Sequence, residues 1–215
     1  MKVVSLIPAR KGSKGIPNKN LIDLCGKPLI YYSIKASKKS LVEETWVSSD
    51  SDEILEISKN YGAKTIKRPS EISNDQSTSE EALLHFASNV DFDIIVFIQC
   101  TSPQIVSNDI DQGIVKMKKY DSVVSVSETS QMFWDSSGPL YDLDKRSRRQ
   151  DSVKRYLETG SFFITTKKNL LQFKNRISGN IGFVEIPKSR SFDIDTYEDL
   201  KIVETLINSK ATIND

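Results

Sequence analysis

Apolar, β-branched-rich runs alternate with helical patterns through most of this chain, and that alternation narrows its fold more than any other feature. Val3 to Ile7, Thr45 to Ser49, Lys64 to Lys67, Ile94 to Gln99, Ser122 to Val126, Phe162 to Thr165 and Gly182 to Ile186 read as strands. Between them Leu29 to Ser40, Asp52 to Tyr61, Ser79 to Asn89 and Asn108 to Lys119 carry apolar residues at three- and four-residue spacing, the period of a helix with one buried face. Strands separated by helices pair in parallel, because each helix supplies the crossover that a parallel neighbour needs. The expected class is therefore α/β, a mostly parallel sheet between two helix layers, and 215 residues suit one such core.

Capping signals agree. Asp50-Ser51-Asp52-Glu53 places an acidic N-cap before Ile54, Ser79-Glu80-Glu81 opens the next helix, and Tyr61-Gly62 closes one with a C-terminal glycine. Residues 129–160 break the rhythm and read as an irregular or hairpin arm. Its Met132, Phe133, Trp134 and Leu140 fit a subunit interface, a lid or a satellite cluster, and Asp144 to Asp151 forms a charge-dense link back to the sheet. We expect one domain over 1–208 and a disordered tail over 209–215.

In open α/β sheets ligands lie beyond the carboxyl ends of the strands, and Arg10, Asp50, Arg68 and Gln99 each end or follow a strand. The first strand feeds Pro8-Ala-Arg-Lys-Gly-Ser-Lys-Gly-Ile-Pro-Asn-Lys-Asn20. Gly12 and Gly15 would let backbone N–H groups approach a polyphosphate, with Arg10, Lys14 and Lys19 bringing positive charge. The loop has neither the spacing of a P-loop nor that of a dinucleotide-binding turn, so neither ATP hydrolysis nor NAD binding follows from it. By itself it also describes a solvated basic loop.

Thirty basic residues stand against twenty-nine acidic ones, so no global field would draw the chain onto nucleic acid or an anionic membrane, and any anion site must be local. Cys25 and Cys100 have no metal-ligand or disulfide spacing, which favours a reducing cytoplasm. The apolar N-terminal run breaks at Pro8, too early for a secretion signal, and no stretch approaches a membrane span. His85, the single histidine, falls inside a helical pattern and reads as packing or surface.

Asp193 and Asp195 alternate on an extended segment, which sets both carboxylates on one side and Phe192 and Ile194 on the other. Two hard oxygen ligands facing a triphosphate would suit Mg²⁺, or Mn²⁺ in its place. A bare D-x-D equally describes a cap on the helix that begins near Thr196 to Asp199.

Residues 8 to 20 resemble the P-A-R-x-G-S-K-x-[IL]-P-x-K-N signature of the CMP-sialic acid synthetases, or acylneuraminate cytidylyltransferases. Four further matches follow in the same order: Ser48-Ser-Asp50, Arg68-Pro-Ser-Glu71 with Asp75, Ile98-Gln-Cys-Thr-Ser-Pro103, and Phe192-Asp-Ile-Asp-Thr196 with Asp199-Leu200. The resemblance implies a Rossmann-like sheet of the nucleotide-diphospho-sugar transferase type with a dimerisation arm. It implies CTP and a nine-carbon α-keto sugar acid as substrates, pyrophosphate as leaving product, Asp193 and Asp195 as metal ligands, and a homodimer.

By the same resemblance Arg10, Gly12, Ser13, Lys14 and Lys19 hold the triphosphate, with Asn20 supporting the loop and Asp50 orienting Lys19 or the ribose side. Arg68 and the Asp75 to Ser79 stretch flank cytosine and ribose. Gln99, Thr101, Ser102, Arg149, Thr159 and Gly160 lie toward the sugar acid. Two segments depart from the family pattern, Gln104-Ile105 where T-S-P-L-R is common, and Leu157 to Phe163 where R-P-N-G-A is common. These departures fall where sialic, legionaminic and pseudaminic acids would be told apart. The Kdo cytidylyltransferases share part of the loop pattern, a D-x-D glycosyltransferase would share layout and metal site, and a nucleotide-binding module without turnover would need only the loop.

Overall fold

The structure is a computed structural model that describes residues 1–144, 148 and 153–213, the last four of these by backbone alone. A seven-stranded sheet forms its centre. Strand β1 (Val3–Pro8) pairs in parallel with β4 (Glu44–Ser49) on one side and β6 (Ile94–Ile98) on the other. Two short pairs, β2 (Asp23–Leu24) with β3 (Lys27–Pro28) and β8 (Trp134–Asp135) with β9 (Gly138–Pro139), lie outside the sheet. β5 (Lys64–Lys67), β7 (Ser122–Thr129), β10 (Arg155–Thr166) and β11 (Ile181–Glu185) complete the order β5-β4-β1-β6-β10-β7-β11.

Central strands buried on both faces read as unbroken apolar runs, and Val3 to Ile7 and Ile94 to Ile98 are buried throughout. Edge strand β5 instead carries exposed Lys64 and Lys67, which discourages pairing with another chain. Within the seven-stranded sheet β10 runs antiparallel to both its neighbours, and the other pairs are parallel. Between β7 and β10 the chain passes through the β8/β9 hairpin.

Two apolar cores make three layers. Ile30 and Ile34 of α1 (Leu29–Lys38), Ile54 of α2 (Asp52–Asn60), Ile110 of α4 (Ser107–Lys116) and Leu200 and Val203 of α6 (Tyr197–Ile213) share a core with Ile7, Val47 and Ile98. Leu83 and Phe86 of α3 (Ser79–Asn89) and Leu170 of α5 (Lys167–Phe173) join Leu6, Phe97 and Phe163 on the opposite face. The strand alternation Leu6/Ile7 and Phe97/Ile98 thus feeds both cores in turn.

Two details of the helices differ from the sequence reading, and one agrees with it. The N-cap of α2 is Ser51, whose Oγ accepts from the Ile54 N–H at 3.4 Å, which releases Asp50 for another partner. α3 opens at Ser79 as expected, and Thr78 just ahead of it exchanges hydrogen bonds with Glu81 in a capping box. α6 continues to Ile213 through the stretch expected to be disordered, because no proline or glycine interrupts it and Leu200, Val203 and Ile207 pack at helical spacing. The arm forms the small hairpin β8/β9, with Trp134 and Leu140 exposed but Met132 and Phe133 half-buried. Most of the charged link after Asp144 lies outside the described residues.

Candidate active site

Past the carboxyl end of β1 the chain turns into the basic loop, and the sequence anchors that loop at several points. The buried Asn20 donates through Nδ2 to the Arg10 carbonyl at 2.9 Å, the supporting role expected of it. Asp50, freed from capping, accepts from the Lys11 N–H at 2.8 Å, so it holds loop backbone rather than Lys19. The loop closes through left-handed Asn18 (φ 51°) into one turn of 3-10 helix, Lys19–Leu21.

The carboxylate segment lies directly against this loop. Ile194 is fully buried and its N–H donates to the Thr101 carbonyl at 2.9 Å, fixing the strip that carries Asp193 and Asp195. Neither carboxylate caps α6: Thr196 and Asp199 do so, with Asp199 Oδ2 accepting from the N–H groups of Asp195 and Thr196 at 3.1 and 2.8 Å. Asp193 accepts from Ser102 Oγ at 2.9 Å. Burial raises its pKa above the ordinary aspartate value and the charge of Asp195 adds to that, while the Ser102 hydroxyl offsets part of it.

Lys19 carries the contact between the two segments. Its Nζ lies 2.8 Å from both the Ile194 carbonyl oxygen and Asp195 Oδ1, with its side chain only 12% exposed. Lys19, expected on a triphosphate, is spent on the carboxylate strip. Gly15 is the second contact: a Cβ there would stand 2.2 Å from the Asp195 carbonyl oxygen. Its glycine is demanded by this crossing, whereas Gly12 has ordinary space around it.

Three recesses meet at Arg10. One of about 360 Å³ is lined by Pro8, Arg10, Gly12, Ser13, Lys19, Asn20, Gln99, Cys100, Thr101, Asp193 and Asp195. A second, of about 610 Å³, runs from Arg10, Gly12 and Ser13 to Asp50 and Ser73 to Asp75. A third, of about 160 Å³, is walled by Arg68, Ile72 and Ser77 to Ser79. Arg10 Nη1 donates to Asp75 Oδ1 at 2.6 Å and Lys14 Nζ lies 3.5 Å from Asp75 Oδ2. The Arg10 hydrogen bond, with Lys14 nearby, holds the Asp75 carboxyl below the usual carboxylate range.

Arg68 is 6% exposed, a buried cation at the end of β5. Its Nε donates to Ser73 Oγ at 3.0 Å, and burial lowers its pKa while Asp50 opposes the shift. Gln99 ties the loop through its backbone, donating from N–H to the Ser161 carbonyl and accepting at C=O from Ser33 Oγ, with its side chain on the cleft wall. Gly160 (φ 71°) sits in the β10 bulge, and a Cβ on it would lie 3.8 Å from Gln99 Nε2. Thr159 Oγ1 donates to Ser125 Oγ at 2.8 Å, and Ser125 also accepts from the Phe162 N–H. Arg149 lies outside the described residues.

Sequence reasoning missed Ser125, which is one serine among several in β7, and Ser73, whose only signal is its distance from Arg68. Burial raises the pKa of the Cys100 thiol, and a weaker effect of the same kind acts on Cys25, so neither is prepared as a nucleophile. Burial and the nearby Arg68 charge depress the His85 pKa.

Asp193 and Asp195 are the residues able to hold a divalent cation. They are hard oxygen donors on one cleft wall, and burial, with a smaller contribution from the Asp195 charge, raises the Asp193 pKa, a penalty on its charged form that a bound cation would offset. Among the described residues no group of three or more His, Cys, Asp and Glu side chains is placed to hold a metal ion. Among the same residues no helix is long and apolar enough to cross a membrane.

Comparison with known proteins agrees with this geometry. A family model described as "Cytidylyltransferase" matches residues 4–213. The chain is 35% identical over 212 residues to N-acylneuraminate cytidylyltransferase B of Danio rerio, covering 93% of this chain and 50% of that protein. It is 31% identical over 223 residues to a pseudaminic acid cytidylyltransferase of Campylobacter jejuni, covering 96% of each. The chain thus spans about half the length of the zebrafish relative and nearly all of the Campylobacter one. A solved CMP:2-keto-3-deoxy-manno-octonic acid synthetase complexed with CTP shares the fold, with a TM-score of 0.78 at 20% identity over 98% of this chain and 100% of that one. With its matching model, its parallel sheet and its basic loop set against a carboxylate pair, this chain belongs to the cytidylyltransferase family.

Proposed function

We propose that this protein transfers CMP from CTP to the anomeric hydroxyl of a nine-carbon α-keto sugar acid. The observation that carries the reading is the single cleft in which Arg10, Gly12 and Ser13 of the loop face Asp193 and Asp195, with Gln99 and Thr101 beside them. A triphosphate needs the first group, a divalent cation the second, and an acceptor the third. Relatives named for N-acylneuraminate and for pseudaminic acid support the acceptor class without choosing within it.

In the reaction the anomeric oxygen forms a bond to the α-phosphorus, the bond from that phosphorus to the pyrophosphate oxygen breaks, and the hydroxyl proton passes to solvent or an adjacent carboxylate. Arg10 and Lys14, exchanging Asp75 for phosphate oxygens, stabilise charge on the departing pyrophosphate. Ser13 and the backbone at Gly12 line the phosphate path. Arg68 and Ser79 wall the nucleoside recess, and Gln99, Thr101, Ser102, Thr159 and Gly160 stand toward the acceptor. Lys19 positions Asp195, and Ser102 positions Asp193. Mg²⁺ held by Asp193 and Asp195, or Mn²⁺ in its place, would supply charge neutralisation at the phosphates.

A second copy of the chain is the proposed partner, its contact being the arm, where Trp134, Leu140 and Leu143 are exposed. Free Cys25 and Cys100 support a cytoplasmic setting. The test is a pyrophosphate assay with CTP and a panel of sialic, legionaminic and pseudaminic acids. Pyrophosphate with at least one acid supports the reading, and release with Kdo alone would move it to the eight-carbon class. Arg10→Ala should slow every acid alike, by about a hundredfold for one lost contact to developing charge.

A further inference from the structure

We infer that Ser125 is a positioning residue for the acceptor wall of the cleft, acting on Gln99 through the β10 bulge, a role that rests on the proposed reading of that cleft as the site of CMP transfer.

The register of β10 on β7 shows why a side chain is needed here. Glu158 pairs with Val126 and Phe163 with Val124, so the four residues Thr159 to Phe162 stand opposite Ser125 alone. A bulge leaves strand backbone without its ladder partner, and a buried amide left in that state is costly. Phe162 is fully buried, as is Ser125. The Ser125 Oγ replaces the missing ladder: it accepts from the Phe162 N–H at 3.0 Å and donates to the Phe162 carbonyl oxygen at 3.1 Å. Thr159 Oγ1, at the start of the bulge, donates to the same Oγ at 2.8 Å. One hydroxyl thus clips both ends of the bulge to β7, and an apolar residue in its place could make none of these bonds.

The stretch between the clipped ends is turned toward the cleft. It consists of Gly160, left-handed at φ 71°, and Ser161. The Ser161 carbonyl oxygen accepts from the Gln99 N–H at 3.0 Å, and a Cβ on Gly160 would lie 3.8 Å from Gln99 Nε2. Gln99 in turn lines the recess that carries Asp193 and Asp195. Bulges beside active sites re-aim a side chain, and here the side chain belongs to the neighbouring segment just past β6. Ser125 touches no part of the recess, so its effect on an acceptor passes through Gln99.

The test is the steady-state kinetics of pyrophosphate release, with CTP and the sugar acid varied separately, for the wild type, Ser125→Ala and Ser122→Ala. Ser122 is a matched control on the same strand: it is fully buried, and its Oγ donates to the Ser178 carbonyl oxygen at 2.8 Å and accepts from the Ser178 N–H at 3.1 Å. Both variants should lower the Tm. Ser125→Ala alone should raise KM for the acid by about tenfold, with KM for CTP unchanged and kcat changed less. Thr159→Val deletes one bond of the clip and leaves Phe162 held; it should raise the same KM by a smaller factor, and by less again when Ser125 is already alanine. An acid KM unchanged in Ser125→Ala, raised equally in Ser122→Ala, or rising in step with the CTP KM would overturn the inference. Should Ser125→Ala fail to fold, Thr159→Val decides, with an unchanged acid KM as the overturning result. A wild type that releases no pyrophosphate with any acid removes the CMP-transfer reading and this role with it, whereas wild-type turnover without the KM split removes the role of Ser125 alone.

Discussion

Lys19 Nζ lies 2.8 Å from Asp195 Oδ1, a bond between residues 176 positions apart that joins the N-terminal loop to the carboxylate strip. The same ammonium donates to the Ile194 carbonyl oxygen, so it fixes both backbone and side chain of that strip. Lys19 therefore acts on the chemistry through Asp195, and its removal should change the geometry of the site more than its charge.

Lys19→Met keeps the stem and deletes the ammonium. Turnover should fall by about a hundredfold, the cost of displacing a reacting group by roughly an ångström, with a smaller change in KM for CTP. Because Asp195 is largely exposed, the melting temperature should move little. Raising the divalent cation concentration should restore part of the activity, an effect that a purely structural role for Lys19 would not produce.

Gly15→Ala places a methyl group where the Asp195 carbonyl oxygen stands, 2.2 Å away. Loop and strip must separate, at a cost of about 1 to 3 kcal/mol in stability. Turnover should fall together with stability, as read by chemical denaturation beside a pyrophosphate assay. Gly12→Ala, where the atom nearest to the new Cβ would be Arg10 Nη1 at 3.7 Å, should leave stability nearly unchanged.

Glu44 sets a pH window for the sheet. Hydrogen bonds from Lys64 Nζ (2.8 Å) and Trp46 Nε1 (2.9 Å), with Lys2 nearby, depress its pKa from the ordinary 4.5 to about 2. A carboxylate depressed in the folded state stabilises the fold above its unfolded pKa and loses that contribution as the pH falls through the folded value. Glu44→Gln should therefore melt below the wild type at neutral pH, with the gap closing between about 4.5 and about 2. Melts at a series of pH values check this; a gap that stays constant over that window would contradict it.

Much of this architecture is legible in the chain because its local signals agree. Each of the seven sheet strands contains one of the predicted runs, although β10 begins at Arg155, inside the stretch read as an arm, and α1 to α4 coincide with helical spacing, with Ser51 and Thr78 capping α2 and α3. The antiparallel sense of β10 is not legible, since the pairing of a strand after an irregular arm depends on where the arm returns. The site divides in the same way. Its phosphate loop and carboxylate pair show as strings of residues, because each is built from one segment. The division of labour among the cations does not show: Lys19 binds Asp195, and Arg10 and Lys14 share Asp75, which are contacts between segments far apart in sequence. The cap position of α2 is a local case, where Ser51 and Asp50 are equally able and only the loop's need for an anchor at Lys11 assigns them.

The most direct test of the account is pyrophosphate release from CTP by the wild type and by Asp193→Asn, each with saturating Mg²⁺ and the best acid of the panel. Asp193 touches Ser102 and lines the cleft without capping α6, so the substitution should keep the fold and lower turnover by about a hundredfold or more. Wild-type turnover with a nine-carbon acid, lost in Asp193→Asn with the melting temperature preserved, is the predicted result. Equal turnover by the two proteins would contradict the assignment of this cleft as the catalytic site.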